Sequence, residues 1–367
     1  MSEGLIAVQN TAPQYLKGAA DNTIRNRLWL SLLRQAGRIK LGRGSFECTW
    51  NVKFSQPEVR QNGDAGQQTF AEHDAFRQLT LDWRGYVATD RLTLKKKLMN
   101  DDDTAIVNLY DTKMEDLVTG LENEFGGQLY VDGNAANNEN AIHGIKSFLG
   151  YTACTTADII AQPNDTYAGR STVLGTLGGS WSSDLGTSPN AGLANDWPYG
   201  SGGSEYDYLA PKLINYNSTG FPAATAGWSA NCTAVLRRAR TWCASTGGSD
   251  MVPYCHMLGA DLYDEFEDHM ESKQRLMLPH KGAQDLGFDD VLNFNGAMIK
   301  HEFDCPASEG FGVNFGEMIL ESIHDEFFYS YGPDWDLPSL SYLFLVGFFG
   351  NMKCNPKHFA RYGDLTS

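Results

Sequence analysis

Two runs of strictly alternating apolar residues, 46–54 and 79–83, most strongly constrain the fold of this 367-residue chain. Side chains of a β-strand point alternately to its two faces, so each run predicts a strand with one apolar face. The apolar positions are Phe46, Cys48, Trp50, Val52 and Phe54 in the first run and Leu79, Leu81 and Trp83 in the second. Because the polar residues 56–75 separate the runs, the pattern predicts a long two-stranded finger with a wide tip.

An isolated hairpin buries too little apolar surface to be stable in water. A finger with a fully apolar face therefore needs a surface to lie on, and we expect another copy of the chain to provide it. The alternative is a pair of ordinary strands within the chain's own sheet. The first hypothesis predicts inter-subunit contacts through Phe46, Trp50, Phe54, Leu79, Leu81 and Trp83.

Charge is distributed unevenly along the chain. The formal net charge is −16, whereas residues 1–54 hold eight Lys or Arg and only three Asp or Glu. A basic N-terminal segment on an acidic protein predicts that Arg25 and Arg34 contact acidic surfaces of neighbouring copies. Contact with nucleic acid would have the same signature. The acidic total argues against nucleic-acid binding by the whole surface, because such binding relies on clustered Lys and Arg.

No motif in the sequence indicates catalysis. Glu321, His324 and Asp325 are spaced so that two of them could share a helix face, but the chain lacks the HExxH, paired CxxC and calcium-loop patterns of metal sites. It also lacks a P-loop and a GxSxG elbow. We therefore expect solvated helix faces at these residues, and no catalytic residue, metal or cofactor. A soluble hydrolase with a substrate cleft in the loop-rich region 150–228 is the competing hypothesis.

The sequence also indicates where the chain is made. Its seven cysteines are scattered and odd in number, which is typical of buried thiols in a reducing compartment. The first twenty residues do not form a secretory signal, and the most apolar run, 340–349, is about half the length that crosses a membrane. We expect synthesis in a cytoplasm and no membrane partner.

Periodicity and turn residues predict an α+β fold. Apolar residues at three- and four-residue steps predict helices over 104–125, 231–244 and 260–271, with shorter helices within 21–37 and near 141–149. Apolar runs predict strands over 251–258, 311–315, 318–323 and 340–349. Between 291 and 303, Asn295-Gly296 is a strong signal for a two-residue hairpin turn.

Four stretches of the chain resemble one known family. They are TDRLTLKKKLMNDDDTAIVNLYDTKMEDLVTGLENEFGGQLY (89–130), AIHGIKSFLG (141–150), GFDDVLNFNGAMIKHEFDCP (287–306) and GFFGNMKCNPKHFARYGDL (347–365). In these stretches, and in the order of its parts, the chain is similar to major capsid proteins of tailed bacteriophages with the Hong Kong 97-like fold. Each motif is short, and the likeness excludes roughly residues 150–228.

The resemblance implies a division of the chain into regions. Residues 1–40 would form an N-terminal arm and 41–90 an extended β-hairpin loop. Residues 91–130, with a long spine helix, and 341–367 would form a peripheral domain, so that the last 25 residues return to the peripheral sheet. Residues 131–340 would form an axial domain.

The resemblance also implies a function and partners. Copies of the chain would assemble as hexamers and pentamers into the icosahedral head that encloses the double-stranded DNA genome of a tailed phage. Portal, cement and possible scaffolding proteins would be neighbours, and the packaged DNA would be contacted only non-specifically. The protein would be found in the virion after assembly in the host cytoplasm. An encapsulin-type compartment shell is the nearest alternative.

Overall fold

The computed structural model describes residues 28–53, 75–99, 109–172, 211–223, 227–247, 255–272 and 292–366, with isolated positions between some of these ranges. Arg25, Phe54, most of the predicted tip 56–75 and much of the predicted loop region 150–228 lie outside the described residues. Within the described ranges, helices and strands build two main sheets, which confirms the α+β class.

The helices are α1 (Leu28–Gln35), α2 (Leu94–Met99), α3 (Leu109–Gln128), α4 (Gly227–Gly247) and α5 (Ala260–Ser272). The strands of the first 200 residues are β1 (Ile39–Lys40), β2 (Cys48–Lys53), β3 (Phe76–Leu81), β4 (Arg84–Thr93), β5 (Tyr151–Thr152), β6 (Gln162–Pro163), β7 (Thr166–Tyr167) and β8 (Arg170–Ser171). The later strands are β9 (Lys212–Asn215), β10 (Cys255–Leu258), β11 (Leu292–Phe294), β12 (Ala297–His301), β13 (Gly310–Val313), β14 (Met318–Ser322), β15 (Tyr329–Asp336), β16 (Ser341–Cys354) and β17 (Ala360–Gly363).

The five-stranded sheet is organised around the long strand β16. Strand β4 pairs antiparallel along one edge of β16, from Gly350↔Arg84 to Ser341↔Thr93. The other edge pairs with β15 and then with β14, and β1 adds to β14 in parallel. Strand β15 was not predicted, because its residues carry little apolar alternation and all but its first and last residues are exposed.

The long predicted helix corresponds to α3, which lies against this sheet. Leu117 and Leu121 of α3 pack on Phe344 and Val346 of β16. The Phe125 ring lies 4.7 Å, centroid to centroid, from the ring of Phe348. The helix continues through Gly126-Gly127, where the sequence predicted its end, to Gln128. Burial of Phe125 and Leu129 on either side of the glycine pair offsets the weak helix propensity of glycine.

The six-stranded sheet has the order β11-β12-β10-β13-β17-β9. Helices α4 and α5 cover one face, with Trp228, Trp242 and Phe266 among the residues buried there. The turn between β11 and β12 has Asn295 at φ +52° and Gly296 at φ +82°, which confirms the predicted two-residue turn. Both residues tolerate positive φ, so the turn follows from their identity.

Two elements differ from the expectations. The helix expected near 141–149 is only a 3-10 turn, Ile145–Phe148, because the backbone at Gly144 is extended (φ −77°, ψ −178°). Strand β17 pairs with β13 and β9 in the six-stranded sheet, although the last 25 residues were expected in the sheet of the spine helix. The division into arm, loop, peripheral and axial regions stays a prediction.

Replacing Phe125 with alanine tests the packing of α3 on β16. The ring contacts Tyr86, Phe328 and Phe348, so the Phe125→Ala substitution leaves a cavity at the centre of an aromatic cluster. We expect the free energy of unfolding to fall by roughly 3–5 kcal/mol in chemical denaturation of the unassembled chain. Glu115→Ala, on the exposed face of the same helix, serves as control and is expected to change it by about 0.5 kcal/mol or less. Equal effects of the two substitutions would contradict this packing.

Candidate assembly surfaces

The predicted finger is present as the hairpin β2–β3. Its strands pair antiparallel in register from Cys48↔Leu81 to Lys53↔Phe76, and they form a sheet of their own. The apolar face lies on the chain's own core: Cys48 and Leu79 are fully buried, and Trp50 packs against Tyr167 at 6.1 Å between ring centroids. The apolar face of the described part of the hairpin therefore packs against the core of its own chain. This differs from the expectation that another copy covers that face.

A buried ion pair joins the hairpin to the five-stranded sheet. Lys353 Nζ on β16 lies 2.6 Å from Glu321 Oε2 on β14, with 12% and 6% of the two side chains exposed. The same ammonium donates a hydrogen bond to the Thr49 carbonyl on β2 (2.9 Å) and lies 5.7 Å from the centroid of the Trp50 ring. The Cys48 thiol donates to Glu321 Oε2 at 3.6 Å. One carboxylate and one ammonium thus connect three strands.

The cysteine of this cluster is inert. Burial raises the pKa of the Cys48 thiol to about 12, so it stays protonated at neutral pH and acts as a hydrogen-bond donor. The expectation of solvated helix faces for Glu321, His324 and Asp325 was wrong, because Glu321 is buried on a strand and His324 follows the end of that strand. Among the described residues, no group of three or more His, Cys, Asp or Glu side chains is arranged to hold a metal ion.

A second polar cluster fixes the start of β4. Arg84 Nη1 donates to the carbonyl groups of Gly133 (2.6 Å), Asn138 (3.2 Å) and Ala141 (2.9 Å). Nearby, Asn351 Nδ2 donates to the Asp82 carbonyl at 2.7 Å, and the backbone N–H of His143 donates to Asn351 Oδ1 at 3.0 Å. The chain leaving the hairpin is therefore tied to β16 and to the loop 133–141.

The outward face of the five-stranded sheet is apolar and uncovered within the described residues. Even-numbered residues of β16 face α3, whereas Leu343 and Phe349 point to the other side, with 42% and 44% exposed. Tyr331 of the neighbouring strand β15 is 60% exposed. A shallow cavity of ≈ 320 Å³ on this face is lined by Ile323, His324, Tyr329, Tyr331, Leu345 and Phe349. The sequence favours interface packing for the aromatic cluster that includes Tyr329 and Tyr331, but it did not indicate the outward residues of β16, because that strand is apolar on both faces.

The residues predicted to contact other copies lie in different environments. Phe46 is fully exposed, and Arg34 is exposed with its guanidinium 5.4 Å from the centroid of the Phe327 ring. Trp50 and Trp83 are partly buried against their own core, whereas Leu79 and Leu81 are buried in it. Phe46 and Arg34 thus offer surface to a neighbouring copy, and Leu79 and Leu81 offer almost none. Inter-subunit contact at any of these positions stays a prediction.

Comparisons with known proteins give the identity of the fold. No protein-family model matches the chain, and no curated protein matches it. A solved structure of a cyanophage A-1(L) capsid asymmetric unit matches with a TM-score of 0.61 and 15% identity over 97% of both chains. The chain is also similar to the capsid of an empty GTA particle, with a TM-score of 0.52 and 10% identity over 99% of both chains. It is similar to the capsid of cyanophage P-SCSP1u as well, with a TM-score of 0.52 and 8% identity over 95% of this chain and 90% of the other.

Identities this low indicate the fold alone, and over nearly the whole chain that fold is the one found in phage capsids. The chain therefore has the Hong Kong 97-like capsid fold that its sequence predicted. No helix within the described ranges is long and apolar enough to span a membrane.

A double-mutant cycle tests the ion pair under the hairpin. Lys353→Met leaves the Glu321 carboxylate in a largely buried site, where Arg43 at 3.8 Å is its one remaining cation among the described residues, so we expect the free energy of unfolding to fall by roughly 3–5 kcal/mol. Combining it with Glu321→Leu removes the stranded charge, and the double variant is expected to lose less than the sum of the two single variants. The pair Lys113–Asp90, with 31% and 32% of the two side chains exposed, is the control, and Lys113→Met is expected to lose about 1 kcal/mol or less. Additive losses in the cycle would show that the pair does not act as a unit.

The pH dependence of stability tests the burial of two histidines. Burial lowers the pKa of His143 to about 4 and that of His256 to about 3, so the folded chain keeps both neutral. As the pH falls below about 6.5, the unfolded chain binds protons that the folded chain does not, and stability decreases. The slope of the unfolding free energy against pH gives the number of protons bound on unfolding. Between pH 6 and 5, we expect His143→Asn to lower this number by roughly one. Unchanged pH dependence in the variant would refute the burial of a neutral His143.

Proposed function

We propose that this chain is the major capsid protein of a tailed phage, which assembles as hexamers and pentamers into the icosahedral head around double-stranded DNA. The observation that carries the proposal is the match to a cyanophage capsid subunit over 97% of both chains. In this role the protein acts by binding copies of itself, is a component of the virion and catalyses no reaction. Its assembly takes place in the host cytoplasm.

The exposed apolar residues support self-association. The outward sheet face carries Leu343, Phe349 and Tyr331, and the hairpin carries the exposed Phe46 and Phe76. Contiguous apolar surface of this kind is typical of protein–protein interaction sites. In a shell, each copy would bury its sheet face and its hairpin on neighbours. Many modest contacts of this kind add up to a stable closed particle.

The two polar clusters at the base of the hairpin fix the direction in which it projects. The Lys353–Glu321 pair holds β2, and Arg84 with Asn351 holds the chain that leaves β3. Because both strands of the hairpin are held, β2 and β3 keep one orientation, which reduces the conformational entropy lost when the hairpin binds a neighbour. The clusters thus hold the hairpin in one orientation before it contacts another copy.

The remaining partners follow from charge and from position in a head. With a net charge of −16, the chain is suited to non-specific contact with packaged DNA only at local basic segments. Portal, cement and possible scaffolding proteins are the proposed neighbours within the head. The encapsulin-type shell differs in its contents, because such a shell encloses an enzyme and no genome.

Particle size tests the proposal. The expressed chain is expected to form particles in the megadalton range by sedimentation, with hexamers and pentamers visible by electron microscopy. A monomer or small oligomer under all assembly conditions, with no larger particle, would refute the capsid role and favour the hydrolase. Particles that hold protein cargo and exclude DNA in the phage-producing host would favour the encapsulin-type shell.

Replacing residues 57–74 with a two-residue Asn-Gly turn tests the role of the hairpin. We expect the shortened subunit to fold, with a circular dichroism spectrum close to that of the unaltered chain. We also expect it to fail to form closed shells. A same-length Gly/Ser replacement of 57–74 is the matched variant, and it separates the need for these side chains from the need for length. Shells of normal size from the shortened hairpin would contradict the proposed contact.

A further inference from the structure

Two neighbouring helices on the six-stranded sheet carry opposite charge. Helix α4 contains three arginines, Arg237, Arg238 and Arg240, and no acidic residue. Helix α5 contains no Lys or Arg and six acidic residues: Asp261, Asp264, Glu265, Glu267, Asp268 and Glu271. Arg237, Arg240 and all the acidic residues except the partly buried Glu267 are exposed. The helix layer thus has one basic and one acidic surface.

The two helices lie side by side over the sheet. Helix α4 packs on β9, the strand at one edge. Helix α5 packs on β12, and its Phe266 ring lies 6.0 Å from that of Phe294 on β11, the strand at the other edge. The two helices also contact each other, and the Arg240 side chain lies beside Gly296 of the β11–β12 turn, so the basic and acidic surfaces adjoin within this layer.

Within the part of the chain that the structure describes, these charges are not neutralised by ion pairs. Among the described residues, Arg237 and Arg240 form no ion pair, and neither does any carboxylate of α5. Arg238 differs, since its guanidinium lies 5.3 Å from the centroid of the Trp242 ring. Like charges within one helix repel one another. The electrostatic repulsion within each helix is therefore reduced when a surface of opposite charge from another molecule binds to it.

We propose that α5 of one copy docks against α4 of the next copy in a ring of subunits. This contact rests on the proposed capsid function and names the surface that joins copies within one hexamer or pentamer. A two-fold contact could also pair α5 with α4, but the ring of the proposed capsid function requires a head-to-tail contact, which closes when the rotation between copies closes.

A second copy fits these surfaces better than other occupants. Nucleic acid would bind the arginines of α4 but would be repelled by the adjacent α5, because the acidic side chains outnumber the arginines. A metal ion is not indicated, since the described residues contain no group of three or more ligands arranged to hold one. A neighbouring copy supplies both charges at once, because each copy carries one basic and one acidic helix.

A charge swap tests the contact in the full-length chain. The variant Arg237→Glu/Arg240→Glu and the variant Asp264→Arg/Asp268→Arg each place like charges at the interface. We expect each to raise the protein concentration needed for assembly on the order of tenfold, measured by sedimentation, because several exposed ion pairs are lost at once. The four-fold variant that combines both changes restores opposite charges between copies and is expected to assemble nearly as the unaltered chain does.

Three outcomes would overturn the inference. The two-residue variants could assemble normally, the combined variant could be as impaired as its two parts together, or Glu115→Arg on α3 could impair assembly equally through net charge alone. Arginine variants that assemble normally and lose only packaged DNA would assign α4 to nucleic acid instead. Thermal unfolding of the unassembled chains checks that every variant folds. All of these results leave the proposed capsid function standing, because that function fails only if the unaltered chain forms no large particles.

Discussion

The packing of α3 against the long strand β16 is the interaction on which the rest of the structure depends. Alternate residues of β16 point to the helix, and burial of Phe344, Val346 and Phe348 fixes which way the whole strand faces. A shift of one residue would reverse every side chain, so the register of β4, β14 and β15 along β16 follows from this packing. The same alternation forces Leu343 and Phe349 outward, where they form the apolar sheet face.

The far end of β16 links this sheet to the hairpin. Asn351 and Lys353 lie only two residues apart, yet the first holds the chain leaving β3 and the second holds β2. Both clusters are largely shielded from water, so their hydrogen bonds and ion pair keep most of their strength. The direction of the hairpin is consequently coupled to the sheet beneath it. In the proposed capsid function this coupling matters, because the position of a projecting element decides which neighbour it contacts.

The α+β class, the hairpin strands β2–β3, the helices α3 to α5 and the Asn295-Gly296 turn could all be predicted from the sequence. In each of these, a local pattern of side chains agrees with the final structure, and tertiary packing changed only boundaries, as where α3 continues through Gly126-Gly127. The candidate surfaces were less predictable. Trp50, Leu79 and Leu81 have the spacing of an exposed apolar finger, but they contact the core of their own chain. Alternation shows that a face is apolar and cannot show what covers it.

The sequence by itself determined which segments form strands and helices, because side-chain spacing and turn residues act over a few positions. It also determined the excess of acidic over basic residues and, through resemblance, the capsid fold. Tertiary structure alone decided that Glu321 is a buried partner of Lys353, that β17 joins the six-stranded sheet, and that one face of β16 stays uncovered. These features join residues far apart in the chain, and long-range pairing depends on the packing of whole elements, which local spacing does not encode.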